Sequence, residues 1–412
     1  MKKIVLSLAG VLAATAFAPE AMAVPAFARQ VGMGCTACHA QHFPVLNSFG
    51  RAFKAGGFTM MGAQGKVEGE HLSIPDTLNA SVVMKVRHQQ DNTAGGAAGS
   101  TATQTVGDGQ WQFFDEFALL FGGRVADNVG FLLEGQMNAT APLMASFKMP
   151  FTFDMGGAKL SVIPFQTDGL GVTYGYELSS GGVVRNVRWS EHRGETSAIQ
   201  YNAPGSTGAA TGIAFVAQND MGYINVSKWA QNFMNTDGGV DLDSNYFRIA
   251  ATPTYNDWAM VVGLGKMGGS SFNSGLAVTT DTDQTFFDFE AQGEVAGKEL
   301  GVYAQHAKAP KNANKNAYNT GGAAGNPDRK AWTIGADYSF IPHVLSVGLA
   351  YRNADNGKAS NVNGDDAWTI NAVYDLYQNV ALHAIHSQYS GSAHDVAGAQ
   401  KRLTTLMLEA AW

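Results

Sequence analysis

Two cysteines and a histidine stand together near the start of the chain, as Cys35-Thr36-Ala37-Cys38-His39. This Cys-x-x-Cys-His spacing is the attachment pattern of c-type haem. Two thiols separated by two residues can form thioethers with the two vinyl groups of one haem, and His39 then lies under the iron and donates an imidazole nitrogen. The motif therefore predicts one covalent haem c, with His39 as the proximal iron ligand.

Two other chemistries use paired cysteines at this spacing. A dithiol redox pair does not require the histidine that follows. A structural zinc site needs a second pair of ligands, and the sequence contains no further cysteine. Both alternatives explain the motif less completely than haem attachment does.

The second axial ligand of the iron is not determined by the motif. His42 follows His39 by three residues, so on a helix both would project from one face and could not bind opposite sides of one iron. Met60, Met61, His71 or a residue from the rest of the chain are the better candidates. An open sixth position, or an ordinary packing role for each candidate, stays an alternative.

The haem segment, residues 24–72, is short for an independent core around a large apolar cofactor. Apolar cover within it comes from Phe27, Phe43, Leu46, Phe49, Phe53 and Phe58. Arg51 and Lys54 are candidates to pair with the haem propionates, with solvated surface charge as the alternative. We expect the haem to need shelter from the remaining residues too.

The first 23 residues have the features of a secretory signal peptide. Lys2 and Lys3 precede an apolar stretch from Ile4 to Phe17, and Ala21-Met22-Ala23 is a small-x-small cleavage pattern. The apolar stretch is shorter than the ~20 residues that a membrane-spanning helix needs. The sequence therefore predicts cleavage after Ala23 and export from the cytoplasm.

Composition narrows the class of the exported chain. Without residues 1–23 it has 25 basic and 33 acidic side chains, a formal charge of −8. This balance argues against nucleic acid or anionic lipid headgroups as partners, because either would need a basic patch. Glycine is frequent at 49 residues, and charged residues make up only 15%, which favours one large β structure over several soluble domains.

From about Thr77 onward, apolar and polar residues alternate with a period of two, which predicts strands with two different faces. The clearest example has Trp332, Ile334, Ala336, Tyr338 and Phe340 on one face, with Thr333, Gly335, Asp337 and Ser339 on the other. We predict that residues 73–412 form an antiparallel transmembrane β-barrel of about 16 strands, with 14 to 18 possible because residues 140–210 are hard to parse. The haem segment would lie in or at its lumen.

The connections between these strands alternate in length. Tight turns are predicted near Asp127-Asn128, Asn219-Asp220, Asn256-Asp257, Gly297-Lys298, Ile341–His343 and Tyr377–Asn379. Longer polar loops are predicted at 91–109, 230–242, 268–283, 309–329, 354–364 and 390–401. Short turns at one end, long loops at the other and a terminal aromatic residue are typical of outer-membrane barrels. A soluble propeller or sandwich is the alternative, but no blade repeat is visible.

One predicted strand carries several acidic residues. Asp288, Glu290 and Glu294 fall on one face, opposite Phe287 and Phe289. An acidic track in the lumen would favour the entry of cations such as ferrous ions. The alternative is the general polarity that barrel interiors have.

The N-terminal segment resembles a known family. The resemblance rests on Pro25-Ala26-Phe27-Ala28-Arg29-Gln30, the Cys35–His39 motif, Phe43-Pro44-x-Leu46 and Phe49-Gly50-Arg51-x-Phe53-Lys54. These features are similar to the monohaem cytochrome–porin fusions of the outer membrane, best known from iron-oxidising bacteria. The resemblance covers residues 24–60, and it carries over Cys35, Cys38 and His39 as haem-binding residues.

The resemblance implies an electron conduit in the outer membrane. Extracellular Fe(II) would be the donor and a periplasmic cytochrome or another carrier the acceptor, which is electron transfer of the oxidoreductase type. A diffusion porin whose haem segment is a plug or sensor is the main alternative, from a different functional class. A periplasmic cytochrome with a soluble β domain and a haem enzyme with an open iron position are further alternatives.

Overall fold

The computed structural model describes residues 25–41, 43, 45–62, 64–92, 109–137, 144–178, 193–202, 208–233, 240–273, 278–311, 315–319 and 327–412. The predicted signal peptide, residues 1–23, and His42 lie outside these residues. The statements below concern only this described part of the chain.

The described helices are short. The α-helices are α1 (Pro25–Val31), α2 (Ser48–Ala55) and α3 (Ala198–Asn202), and 3₁₀ turns cover Cys35–Ala37, Val172–Tyr174, Arg193–Glu195 and Ser360–Val362. None of the helices in the described ranges is long and apolar enough to cross a membrane.

Strands account for most of the chain. They are β1 (Lys66–Gly69), β2 (Leu72–Pro75), β3 (Ala80–Asp91), β4 (Gln110–Ala126), β5 (Val129–Gln136), β6 (Met144–Lys148), β7 (Phe151–Asp154), β8 (Lys159–Thr167), β9 (Ala210–Asn219), β10 (Gly222–Ala230), β11 (Ser244–Ala251), β12 (Thr254–Tyr255), β13 (Trp258–Gly268), β14 (Ser270–Asn273), β15 (Val278–Asp281), β16 (Gln284–Val295), β17 (Lys298–Ala309), β18 (Arg329–Ile341), β19 (Leu345–Asn356), β20 (Asp366–Tyr377), β21 (Val380–Ser390) and β22 (Arg402–Ala411).

These strands close into a single antiparallel barrel. Barrel strands that follow each other along the chain pair, β13 pairs with β16 across the β14–β15 hairpin, and β22 pairs with β3 from Leu403↔Asp91 to Ala411↔Val83. The segments β6 and β7 share the partners β5 and β8, and β11 and β12 both pair with β13, so each pair forms one interrupted strand. Counted this way, the described residues form 16 barrel strands, as predicted. Two hairpins, β1–β2 and β14–β15, stay outside the barrel sheet.

The alternation predicted for β18 is confirmed. Trp332 and Ile334 are more than half exposed on the outer surface, whereas Thr333 and Asp337 are buried. The same pattern places large apolar side chains on the outer surface of most strands, among them Ile224, Val226, Phe247, Ile249, Leu264, Leu349, Trp368, Ile370, Leu382 and Leu406. A closed wall with an apolar exterior and a polar interior satisfies its backbone internally and is suited to lipid. The chain is therefore a porin-like barrel of the outer-membrane type.

The two ends of the barrel differ, as the connections predicted. At one end, which we call the turn end, tight turns join successive strands, and non-glycine residues adopt positive φ at Asn256 (47°), Asp257 (64°), His343 (59°) and Asn379 (65°). The chain also enters β3 and leaves β22 at this end. The described connections 357–365 and 391–401 are longer and lie at the other end, the loop end. Parts of the loops predicted at 91–109, 230–242, 268–283 and 309–329 lie outside the described residues. In outer-membrane barrels the short turns face the periplasm.

A charge introduced on the outward-facing side of a strand tests whether that side contacts lipid. We expect Ile334→Arg, in the middle of β18, to lower the free energy of unfolding by about 2–4 kcal/mol, because an arginine at the bilayer midplane is poorly solvated. Tyr377→Arg at the turn end serves as the matched control, with an expected cost of about 0–1 kcal/mol. Urea titration in lipid vesicles measures both values. Equal costs at the two positions would contradict a membrane-spanning wall.

Candidate haem site

The helix α1 is fixed to the barrel by one buried glutamine. The side-chain nitrogen of Gln30 donates to the carbonyl oxygens of Phe58 and Met60, both at 2.7 Å. Its side-chain oxygen accepts a hydrogen bond from the backbone N–H of Arg124 in β4 at 2.9 Å. Phe27 adds a stacked contact with Phe58. The segment before the cysteine motif is therefore held to the inner wall at the turn end.

The cysteine motif folds as a 3₁₀ turn that is clamped by Asn47. The Nδ2 of Asn47 donates to the carbonyl oxygens of Ala37 (3.1 Å) and Thr36 (3.3 Å). Its Oδ1 accepts from the N–H of Gly50 at 2.9 Å and so caps α2. Its own backbone N–H donates to the carbonyl of Cys38 at 3.0 Å. One side chain thus orients both the motif and the helix that follows it.

The close packing of the motif on α2 depends on a glycine. A Cβ atom added at Gly50 would lie 2.1 Å from the carbonyl oxygen of Cys38. No larger residue fits at this position, because contacts under 3.0 Å force the backbone to shift. This explains the glycine in the Phe49-Gly50-Arg51 sequence.

The residues of the motif fit a covalent haem. Cys35 and Cys38 are half-buried and are not joined by a disulfide. The Nδ1 of His39 lies 3.3 Å from the carbonyl oxygen of Val45. A hydrogen bond there makes Nε2 the nitrogen that would bind iron, which is the orientation that second-shell carbonyls impose on histidine ligands. Burial raises the pKa of the Cys38 thiol.

Polar contacts with several strands hold the segment in the lumen. We call its described residues that precede the β1–β2 hairpin the plug. Arg51 Nη1 lies 2.6 Å from the Glu290 carboxylate, and both side chains are at most 8% exposed. The backbone N–H of Gln41 donates to Glu299 at 2.7 Å, and Gln218 donates to the carbonyl of Ala55 at 2.5 Å. Arg51 is therefore tied to the wall and is not a solvated surface charge, whereas its pairing with a haem propionate stays a prediction.

Apolar contacts complete the plug. Ala40 and Val45 share a buried cluster with the inward-facing residues Val83, Val373 and Ala381 of three strands. On the opposite side, the carbonyl oxygen of Gly57 lies 1.7 Å from the position that a Cβ at Gly130 would take, so these two backbones touch. The described residues of the predicted haem segment that precede the β1–β2 hairpin therefore lie within the lumen at the turn end, and the wall supplies the core that they lack alone.

The candidate distal ligands lie in different settings. Met60 is 43% exposed beside the end of α1, and Met61 is half-buried next to it. His71 is 92% exposed at the tip of the β1–β2 hairpin. The three are not brought together, and the choice among them stays a prediction. In the described part of the chain, no group of three or more His, Cys, Asp and Glu side chains is arranged to hold a metal ion.

The acidic track expected on β16 is not an open row of carboxylates. Asp288 binds Arg248 through two contacts of 2.6 and 3.0 Å, and Glu290 is paired with Arg51. Glu294 is exposed at the turn end. Both buried acids therefore serve to attach other parts of the chain, because a buried carboxylate is stable only when it is paired.

A second inserted segment lies in the lumen beside the plug, where its Leu178 lines the same turn-end cavity as Ser48 and Ala55 of α2. It includes residues 172–178, and its Glu177 is fully buried against Arg248, with a 2.7 Å contact between Arg248 Nε and the carboxylate. The hydroxyl of Tyr223 also donates to Glu177. Because Arg248 bridges Glu177 and Asp288, one arginine fastens this segment to β11 and β16.

Residues 193–202 continue the inserted segment near the loop end. Glu195 is buried and accepts hydrogen bonds from the hydroxyls of Ser387 and Tyr389. The hydroxyl of Tyr201 donates to Asp365 at 2.8 Å, and burial raises its pKa. Burial alone would raise the pKa of Asp365, but its contacts with His394, Arg352 and Tyr201 outweigh burial and hold that pKa well below its usual range.

Comparison with known proteins finds only distant structural likenesses. No protein-family model matches the sequence, and no curated protein shows significant similarity to it. Among solved structures, OccK1 (OpdK) of Pseudomonas aeruginosa is 12% identical, with 81% of this chain and 98% of that chain covered and a TM-score of 0.44. A loop-deletion mutant of OmpT, an outer membrane protein of Vibrio cholerae, is 13% identical, with 82% and 99% covered and a TM-score of 0.44. A porin refined at 1.8 Å is 11% identical, with 82% and 100% covered and a TM-score of 0.46. These likenesses are too distant to transfer a ligand or an activity.

Sequence reasoning missed the residues that position the site. Asn47 precedes α2 and has the type preferred at a helix N-cap, so its capping role was detectable, but its bonds to Thr36 and Ala37 were not. The lumen contacts of Glu177 and Arg248 had no such signal, because they join residues 71 positions apart.

Removing the Asn47 clamp tests how the motif is positioned. We expect Asn47→Ala to destabilise the plug by about 0.5–2 kcal/mol from the lost cap alone and to lower the fraction of chains that acquire covalent haem. Asn47→Asp keeps the capping oxygen and loses only the two bonds to Thr36 and Ala37, so an intermediate loss is expected. The pyridine haemochrome spectrum per barrel measures the fraction. Full haem content in both variants would contradict the clamp.

Proposed function

We propose that this chain is an outer-membrane barrel that carries one haem c in an internal plug and passes electrons, while its lumen excludes larger solutes. The observation that carries this proposal is the position of Cys35, Cys38 and His39 within a segment fixed inside a closed barrel. A haem held there would supply a one-electron redox centre. The protein would supply its attachment, its orientation and its isolation from lipid.

The occlusion of the lumen supports electron passage over free diffusion. The plug is attached to strands around the wall through Arg51, Gln41 and Gln218. The second segment is fastened beside it through Glu177. Among the described residues, these two inserted segments, each tied by buried polar contacts, narrow the lumen.

The direction of transfer is taken from the family resemblance. It implies extracellular Fe(II) as the donor and a periplasmic cytochrome or another carrier as the acceptor. The motif lies at the turn end, which is the periplasmic end of an outer-membrane barrel, and this placement favours a periplasmic acceptor.

Reduction by ferrous iron tests the donor. We expect the purified protein in lipid vesicles to show the reduced haem spectrum within seconds to minutes of adding Fe(II), because the proposed haem accepts one electron per ion. A chain with Cys35→Ala and Cys38→Ala should form the barrel and show no haem absorption. If dithionite reduces the haem and Fe(II) does not, then Fe(II) is not the electron donor. The proposal of an electron conduit would still stand.

The second candidate function is a diffusion porin with a haem-bearing plug. One observation favours it. A cavity of about 430 Å³ lies between α2 and the turns of β7–β8, β9–β10 and β11–β13, lined by Ser48, Arg51, Asp154, Lys159, Asp220 and Thr252 among others. The plug therefore does not fill the whole cross-section at the turn end.

Conductance distinguishes the two functions. In planar bilayers we expect the wild type to conduct little, and Glu177→Gln to raise the conductance several-fold, since removing the charge that binds Arg248 loosens the inserted segment. Glu68→Gln, at an exposed ion pair outside the barrel, should leave the conductance unchanged. Porin-like conductance of the wild type itself would favour the diffusion porin.

A further inference from the structure

The β1–β2 hairpin projects from the turn end and has an apolar face turned to solvent. Val67 lies opposite Ile74 in the pairing, and Leu72 is two residues from Ile74, so the three side chains share one face. Val67 is 47% exposed, Leu72 is 45% exposed and Ile74 is 42% exposed. We call these three side chains the hairpin face.

The opposite face of the hairpin is polar and is directed at the barrel. Arg124 of β4 donates to the carbonyl oxygen of Ser73 at 3.0 Å and to its hydroxyl at 3.1 Å. On the same face, Lys66 and Glu68 form a 2.8 Å ion pair. The arrangement is the reverse of an ordinary surface hairpin, which buries its apolar side. Burying the hairpin face against another surface would therefore be favourable.

The hairpin is coupled to the haem segment by a short chain of hydrogen bonds. At its base, Gln64 and Asn79 exchange hydrogen bonds of 2.8 and 3.0 Å. Asn79 also donates to the side-chain oxygen of Gln30 at 3.3 Å. Gln30 belongs to α1, five residues before Cys35. A protein bound to the hairpin face would thus lie beside the segment that carries the motif.

The charge around the hairpin favours a basic partner. The hairpin and its base, residues 64–79, carry one basic side chain, Lys66, and three acidic ones, Glu68, Glu70 and Asp76, a balance of −2 with His71 neutral. Arg124, which contacts the hairpin, pairs with Asp127, so these two add no net charge. On the hairpin, Glu70 is 92% exposed beside His71. Such a field attracts cationic proteins and speeds their encounter.

We propose that the hairpin face, with its acidic surroundings, is the docking site of a basic periplasmic electron carrier. This inference rests on the proposed electron-transfer function and names the place where the acceptor binds. A small apolar centre with a charged border matches the weak interfaces of redox partners, which bury less than about 1,200 Å². Apolar contact gives the complex its stability, and the charges orient the partner before contact.

Binding and electron transfer to a basic probe test the docking site. Ferric mitochondrial cytochrome c, a basic haem protein, is mixed with the full-length protein in lipid nanodiscs at low ionic strength. For the kinetic measurement the haem of the barrel is first reduced with dithionite and the excess dithionite is removed. We expect the double variant L72S/I74S to weaken its binding about fivefold or more and to slow reoxidation of the dithionite-reduced haem in proportion. Met221→Ser removes an even more exposed apolar side chain at the β9–β10 turn and should change neither value.

A charge reversal separates the two contributions. We expect Glu70→Lys to weaken binding at low salt and to have no effect at high salt, because only the steering charge is changed. Unchanged binding and reoxidation in L72S/I74S would overturn the docking site. An Ile74→Trp variant whose added fluorescence is quenched by brominated phospholipid would also overturn it, since the hairpin face would then lie in the membrane.

Failure of the docking site can be distinguished from failure of the proposed function. Dithionite reduces the haem regardless of the natural donor, so a failure of Fe(II) to do so leaves the docking test valid. A normal reaction with Fe(II) together with unaffected binding by L72S/I74S removes only the docking site.

Discussion

Closure of the wall is the constraint on which the rest of this structure depends. A strand in lipid has no water to satisfy its backbone N–H and C=O groups, so the edges of the sheet must pair with each other. The pairing of β22 with β3 meets this requirement. With sixteen strands closed, successive residues face lipid and lumen alternately. The enclosed space is then wide enough that side chains of the wall alone do not fill it.

That enclosed space stabilises the N-terminal segment with the cysteine motif, which is too short to form its own core. The wall presents small or apolar inward residues where the plug packs, such as Val83, Val373 and Ala381. It presents Glu290 where α2 brings Arg51. A buried ion pair contributes little net stability, because desolvation offsets the attraction, but it is costly to misplace. The pair therefore fixes the orientation of the plug within the barrel more than it holds the plug there.

The sequence predicted the parts of this fold that follow a local rule. Period two located β18 and both of its faces, and the short connections near Asn256 and His343 became tight turns. The Cys-x-x-Cys-His spacing predicts the haem-binding residues without any structure, and this assignment stays a prediction. The insertion of residues 172–178 and 193–202 into the barrel was not predicted, because these residues lack strand periodicity. Their positions depend on Arg248, Ser387 and Tyr389, which are distant in the chain, and no local pattern records such contacts.

The asymmetric position of the motif limits how a donor can reach it. The apolar band of a barrel is about 25 Å tall, and the motif is held near the turn end. The rate of electron transfer falls steeply with distance. An ion confined to the extracellular surface would therefore be a poor donor to a haem at the turn end. An acidic track would draw ferrous ions inward, but Asp288 and Glu290 are occupied by arginines. If Fe(II) is the donor, it must approach through the loop end, past residues such as Glu195 and Asp365. Those same residues hold the inserted segment in place, so admission of the donor and retention of that segment depend on the same contacts.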